Sequence, residues 1–279
     1  MNSKNNIDNE VVKDFGKEWN SFTQTDLSKD DLDQGIRSYF RIFPYDKINS
    51  ESIGADFGCG SGRWVPAIAP HVKKIYCIDP SDAIHVAENN LKKNFNNLSF
   101  EKADISKNSI PEESLDFGYC LGVLHHIPDT QLALNDCIKK LKAGSPFLLY
   151  IYYKFDNQPF WYFYLWKLSD IFRQIICNLP YKLKLFITFF IAILIYLPIA
   201  RLGNVIEYAG LPVKSWPLSD YRKKTFYTMR TDSLDRFGTK LEHRFTKEEI
   251  RQMMEASGLG GIIFDEHNAP YWCALGYKK

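Results

Sequence analysis

One stretch limits the fold more than any other. Residues 53–64 read Ile-Gly-Ala-Asp-Phe-Gly-Cys-Gly-Ser-Gly-Arg-Trp. The short apolar run at its start reads as a buried strand. Gly58, Gly60 and Gly62 follow at alternate positions, and then an apolar stretch with Pro66 near its start. Proline is tolerated in a first helical turn, so that stretch reads as a helix beginning. Glycines let a ligand lie against the main chain, and a helix start offers unpaired N–H groups. The spacing is G-x-G-x-G, which is not the G-x-G-x-x-G of a dinucleotide pyrophosphate site. No Gly-Lys-Ser/Thr follows to make a P-loop. Taken alone, the turn is either a ligand cradle or a glycine-rich connector.

The flanking pattern alternates. Strands are expected at 52–57, 74–79, 98–102, 115–121 and 146–153. Helices are expected at 36–48, from Ser81 to about 94, and at 130–141, where Leu132, Leu134, Cys137, Ile138 and Leu141 fall largely on one side. Such alternation predicts a parallel sheet covered on both faces. Ligands then sit at the carboxyl ends of the strands, where residues 56–62, Asp79, Asp104 and 122–126 converge. The signal returns after Leu241. Thr246 and Glu249 form a capping box, Ile250, Met253 and Met254 point inward, Gly258 closes the helix, and strands follow at 261–266 and 272–277. The fold class is α/β: a Rossmann-like, seven-stranded, mostly parallel sheet with helices on both faces.

Two segments stand outside that pattern. Residues 1–10 read as disordered, and then Phe15, Trp19 and Phe22 recur at helical spacing on one face. That face either packs on the domain or closes over a ligand as an aromatic lid. Residues 155–240 begin strongly aromatic and become strongly apolar, with no charged residue at 185–200. Sixteen residues are short for a membrane span, which needs about 20. A buried core helix, a helix lying in a membrane interface and a true span all remain open. This insertion holds 12 Lys/Arg against 6 Asp/Glu. It therefore carries +6 of a chain total of +2, and the remainder carries −4. A basic, aromatic, apolar insertion suits an anionic membrane surface and equally a lid over a large apolar substrate. The chain divides into an N-terminal lid segment (1–35), a core (36–154), a mainly helical cap insertion (155–240) and a C-terminal part of the core (241–279).

Six scattered cysteines without a C-x-x-C pair read as free thiols in a reducing compartment. The polar start lacks a signal-peptide core, so secretion is not expected. No His/Asp/Glu set has metal-ligand spacing, and no metal is expected. Nucleic acid is disfavoured as partner, because the basic residues sit among apolar ones and no Asn-Pro-Pro-Tyr motif appears.

Asp79 ends the second strand, 21 positions after Gly58. An acceptor-only carboxylate there suits both ribose hydroxyls. Asp104, after Ala103 at the third strand's end, could accept from an exocyclic adenine amine. Either could instead cap a helix.

Together, Asp56-Phe-Gly-Cys-Gly-Ser-Gly62, Tyr76-Cys-Ile-Asp79, Ala103-Asp-Ile105 and the run 115–128 with Leu121, Gly122, His125 and His126 resemble the class I S-adenosylmethionine (SAM)-dependent methyltransferases. The likeness is greatest to the small-molecule branch that includes the ubiquinone and menaquinone enzymes. It covers residues 50–153 well and 241–279 moderately, and it is more specific for fold and cofactor than for substrate. Phe15-Gly-x-x-Trp19-x-x-Phe22 also resembles the segment that closes over SAM in some members.

The resemblance implies SAM as cofactor. It places Gly58, Gly60 and Gly62 along the methionine part, with Asp56 accepting from the amino group. Asp79 holds the ribose, and Asp104 faces adenine N6 with Ile105 and Pro80 against the ring. Leu121 and Gly122 line the methionine side, and Trp19, Phe57, Cys59, Ser81, Ala103 and His126 complete the cofactor set. His126 points to the transfer site. A sulfonium methyl is already activated, so transfer is mostly positioning, while a hydroxyl acceptor also needs a base. His126 is the first candidate for that base, and His243 and Tyr152 are rivals. The expected activity is methyl transfer to oxygen or nitrogen of a bulky, partly apolar small molecule: a lipid, a lipid-linked sugar or an isoprenoid-like acceptor. It would take place in the cytoplasm, with peripheral membrane contact through 159–201. The alternative is a SAM-binding, non-catalytic subunit that is membrane-associated or complex-forming.

Overall fold

The computed structural model describes residues 6–266 and 272–279. Its centre is a seven-stranded sheet in the order β3-β2-β1-β4-β5-β7-β6. The strands are β1 (Ile53–Phe57), β2 (Lys74–Ile78), β3 (Leu98–Glu101), β4 (Phe117–Leu121), β5 (Pro146–Ile151), β6 (Leu259–Phe264) and β7 (Trp272–Lys278). β1 to β5 pair in parallel, and β7 runs antiparallel to both neighbours. This is the mostly parallel sheet that the alternation predicts. Strand order reverses at β1, between β2 and β4, which is where such sheets bind ligands. Two apolar layers cover the faces, one around Val65, Ile68 and Phe117, the other around Phe57, Leu134 and Phe147.

Several local expectations are corrected. The helix expected at 36–48 lies earlier, as α2 (Lys29–Tyr39), because Ser28 caps it by accepting from the Asp31 N–H and Pro44 bars its extension. Residues 6–10 are not irregular throughout: Asp8 caps α1 (Asn9–Ser21) by accepting from the N–H groups of Glu10 and Val11. The rest of that expectation, residues 1–5, lies outside the described residues. After the glycine turn there is no α-helix, only 3₁₀ turns at Val65–Ala67 and Ala69–His71. Pro66 and Pro70 are one helical turn apart, and the second lacks the N–H that would continue a helix. α3 (Ala83–Leu91) and α4 (Thr130–Lys139) appear near their expected places, but Leu132 points outward. β6 begins at Leu259, earlier than residue 261.

The insertion is helical: α5 (Phe160–Ile176), α6 (Tyr181–Ile191), a π-turn (Ala192–Tyr196), α7 (Leu197–Tyr208) and α8 (Phe226–Gly238). α6, the π-turn and α7 form one continuous helix from Tyr181 to Tyr208, 28 residues long, longer than the 185–200 stretch. By length and composition it could cross a membrane. It is instead bound along one face to the body. Lys184, nearly fully buried, donates to Asp14 of α1 at 2.7 Å and to the Gly238 carbonyl at 2.9 Å. The cap has its own small core around Tyr196, Met229 and Phe237.

Further bonds fasten the N-terminal segment to the cap. Asp31 Oδ2 accepts from the hydroxyls of Thr225 and Thr228 at 2.6 Å each, and the Tyr227 hydroxyl accepts from the Gln24 N–H. The chain re-enters the core through a bridge between Tyr153 and Phe245. There α9 (Lys247–Ala256) carries the complete Thr246/Glu249 capping box, with Ile250 and Met254 buried and Met253 half-buried.

Candidate active site

The carboxyl edge of β1, β2 and β4 forms the floor of a cavity of about 490 Å³, and α1 and the cap form its roof. That volume suits a cofactor-sized ligand. Gly58, Cys59 and Gly60 are on its wall, with Trp19 of α1 facing them. Gly60 has φ +54°, and a Cβ there would come within 3.2 Å of the Trp19 indole. Gly62 serves a different end. Its φ is +78°, a Cβ would meet Leu91 of α3 at 2.5 Å, and it is not on the cavity wall.

Asp79, Pro80, Ser81, Asp104, Ile105, Leu121, Gly122 and His126 line the same cavity. Asp79 is buried and organises the turn. Its Oδ2 accepts from the Gly60 N–H at 2.9 Å, and its Oδ1 accepts from the Ser81 N–H at 2.9 Å and hydroxyl at 2.6 Å. Burial raises the Asp79 carboxyl against these bonds. Each carboxylate oxygen offers two acceptor directions, so Oδ2 retains one. Asp104 accepts from the Ser106 N–H at 2.9 Å, an Asx turn that sets its direction.

Asp56, Phe57 and Ala103 are not on the wall. Phe57 is core. Asp56 is buried beneath the turn with Oδ2 unpartnered. Burial pushes its carboxyl well above the usual range, Tyr119 beside it works the other way, and Asp79 adds to the rise.

The transfer end is built on the 3₁₀ turn Leu124–His126 after β4. His126 Nδ1 lies 2.7 Å from the Leu241 carbonyl oxygen, which can only accept. Nδ1 therefore carries a proton, and in the neutral ring the lone pair is on Nε2. Nε2 is buried without a hydrogen-bond partner, 3.8 Å from Asp235 Oδ1. Phe15 packs on the imidazole with centroids 4.9 Å apart. Tyr152 lines the cavity and donates to Asp235 Oδ2 at 2.6 Å. Burial, then Asp235, pushes its phenol well up, so it stays a neutral donor. His125 stacks on Tyr152 at 3.8 Å and is fully buried, which holds its imidazole neutral. His243 does not reach the cavity. Its backbone N–H donates to the His125 carbonyl, and its ring lies beside Phe245.

Sequence reasoning missed much of the roof. Glu18, Asp232, Asp235, Tyr221, Lys224 and Arg63 all face the cavity, with Phe155, Tyr162 and Trp166 beyond them. Phe15, Trp19 and Glu18 come from one helix, and the helical spacing of the aromatics was the available signal for that helix. Nothing in the sequence marks the acids of α8.

Comparison with known proteins bears on the fold. Residues 55–149 match the methyltransferase domain family. A ubiquinone biosynthesis O-methyltransferase of Coxiella burnetii is 30% identical over 91 residues, 32% of this chain and 39% of that protein. The chain thus matches about two fifths of the length of the curated relatives. A SAM-dependent methyltransferase structure from Thermotoga maritima covers 97% of this chain and 99% of its own, with 14% identity and a TM-score of 0.51. The YcgJ protein of Bacillus subtilis covers 89% and 97%, with 14% identity and a TM-score of 0.50. The two structures establish the fold. The matched residues carry the glycine turn, Asp79, Asp104 and His126 of the cavity wall.

Proposed function

We propose that the whole chain moves a methyl group from SAM to an oxygen or nitrogen of a bulky, partly apolar small molecule that it meets at a membrane surface. One observation carries this reading. A single cavity runs from Gly58, Asp79 and Asp104 past His126 to Leu165 of α5 and Ile195 of the π-turn, and those last two are also exposed on the outside. A cofactor at one end and an apolar tail at the other would meet near His126.

The residues present fit SAM. Backbone at Gly58–Gly60 admits close approach, Asp79 keeps an acceptor direction, Asp104 with Ile105 and Pro80 offers an acidic edge beside apolar walls, and the orphaned Asp56 carboxyl can take an amino group through water. Bound SAM supplies an activated sulfonium methyl. The chain positions the acceptor, excludes water under Phe15 and Trp19, and removes a proton at His126 Nε2. Asp235, 3.8 Å away, then faces the imidazolium, and Tyr152 fixes Asp235.

The outer surface supports a membrane-borne acceptor. Phe160, Tyr164, Ile171 and Ile175 of α5 and Phe186, Leu194, Val205 and Tyr208 of the long helix are exposed. An apolar patch of this extent marks an interaction surface. Exposed Lys167, Lys182 and Lys214 flank it, as an anionic interface would favour. The name of the Coxiella relative is compatible with an isoprenoid-like acceptor.

Labelled SAM incubated with the protein, anionic vesicles and a lipid extract should yield S-adenosylhomocysteine (SAH) and one labelled amphiphile, identified by mass spectrometry. SAM binding without acceptor-dependent SAH release would mean a binding subunit.

A further inference from the structure

The roof of the cavity concentrates unmatched acceptors. Glu18 is 4% exposed with Oε1 unpartnered, and Asp235 Oδ1 is buried and unpartnered. Asp232 lies one turn before Asp235 on α8 and also faces the cavity. A separate element, the turn after β4, adds the unpartnered Nε2 of the nearly buried His126, whose tautomer makes it an acceptor. The neighbouring cations balance this set only in part: Lys224 and Arg63 act on Asp232, and Arg63 acts on Glu18. Lys224 pairs with Asp220, and Arg236 pairs with Glu242 at 3.0 Å. Arg63 lies over the rings of Trp19 and Trp64 and makes no carboxylate pair among the described residues.

Buried carboxyls that share a site cannot all ionise without a counter-charge. Glu18 shows the result: burial, then Asp235, Asp232 and Asp14, raise its carboxyl far above the ordinary range, and only Arg63 works the other way. A neutral Glu18 beside Asp232 and Asp235 is a place for a positive charge.

We infer that the acceptor's reacting head is an aliphatic amine, which enters as an ammonium between Glu18, Asp235 and His126 while its apolar tail leaves past Leu165 and Ile195. This rests on the methyltransferase reading and narrows it to nitrogen. A primary ammonium has three N–H donors, and Glu18 Oε1, Asp235 Oδ1 and His126 Nε2 are three acceptors. An alcohol has one. On binding, Glu18 ionises and releases a proton to solvent. The ammonium then gives one proton to His126 Nε2. The freed nitrogen lone pair forms the N–CH₃ bond as the methyl–sulfur bond breaks, its electron pair staying on sulfur. The products are SAH and a methylated ammonium, with His126 protonated until it returns its proton to water.

The test is calorimetric titration of the full chain with dodecylamine and with dodecanol, both with and without SAH. We expect dodecylamine to bind at least tenfold tighter than dodecanol. Its heat should vary with buffer ionisation enthalpy, reporting release of up to one proton at pH 7. Glu18→Gln should remove the proton release and the preference, and Asp235→Asn should reduce the preference. SAH titration of each variant confirms an intact cofactor end. Equal binding of amine and alcohol, or a preference that both variants retain, overturns the inference. Failure of the wild type to bind SAH would overturn the cofactor reading instead, and the titrations without SAH would still decide the amine.

Discussion

His126 Nδ1 and the Leu241 carbonyl oxygen are 2.7 Å apart, and this bond decides which ring nitrogen faces the cavity. Leu241 is where the chain leaves the cap, so docking of the cap sets the tautomer of a residue on the core. His126→Ala should lower acceptor-dependent SAH release by roughly 10²- to 10⁴-fold, the usual contribution of a positioned base. SAM affinity by calorimetry should change little. An unchanged single-turnover rate would remove His126 from the reaction.

Asp79 holds Gly60 and Ser81 as well as facing the cavity. Asp79→Ala should therefore weaken SAM binding more than the loss of one ribose contact, because two buried N–H groups lose their acceptor. Hydrogen bonds to a charged group contribute about 1.5–3 kcal/mol each, so a loss of at least a hundredfold in SAM affinity is expected. Circular dichroism should show the fold retained. SAM affinity equal to wild type would mean the cofactor lies elsewhere.

These two sites differ in how legible they were. Asp79 and Asp104 could be read because strand ends, turn glycines and acid offsets are local signals, and a parallel sheet brings all strand ends to one edge. Gly62 reads as part of the ligand cradle but lies off the cavity wall, since sequence cannot tell a glycine demanded by a ligand from one demanded by Leu91. The 3₁₀ turns after it follow from Pro70, four residues after Pro66. Glu18 and Asp235 were invisible: they come from α1 and α8, and only the docking of the cap, through Lys184 on Asp14 and Thr225 on Asp31, brings them together.

The Asp14–Lys184 pair should show in acid stability. Burial raises the Asp14 carboxyl, but hydrogen bonds from Lys184 and then Lys17 outweigh it, and the net shift is downward. A depressed carboxyl contributes stability above its unfolded value of 3.8, and this is lost as pH falls through the folded value. Asp14→Asn should destabilise at pH 7 by up to about 3 kcal/mol, since it strands a buried ammonium. The difference from wild type should shrink below pH 3.8. Urea midpoints measured from pH 7 to pH 3 decide it, and a constant difference would assign the cost to packing.

Glu18 has the opposite sign. Its folded carboxyl is raised, so the unfolded chain releases a proton that the folded chain keeps, and stability falls as pH rises above 4.5. Glu18→Gln should melt higher than wild type at pH 7 and at nearly the same temperature at pH 4. A lower melting temperature at pH 7 would mean that Glu18 is ionised and paired in the folded protein.

The exposed face of α5 and the long helix makes the last prediction. Lys184 and Thr188 point into the body, while Phe186 and Leu194 point out, at 60% and 68% exposure. Seating that outer face in a lipid interface would bury it without moving the helix off α8. Burying one such side chain contributes about 1.5–3 kcal/mol, so Phe186→Glu with Leu194→Glu should cut co-sedimentation with anionic vesicles at least tenfold. The melting temperature should hold, since neither residue packs into the cap core. Raising the salt should weaken wild-type binding only in part, because Lys167, Lys182 and Lys214 supply the screened share and the apolar face the rest. Wild-type protein that stays in the supernatant with anionic vesicles would show that this face has another use, and the acceptor would then have to reach Leu165 and Ile195 from water.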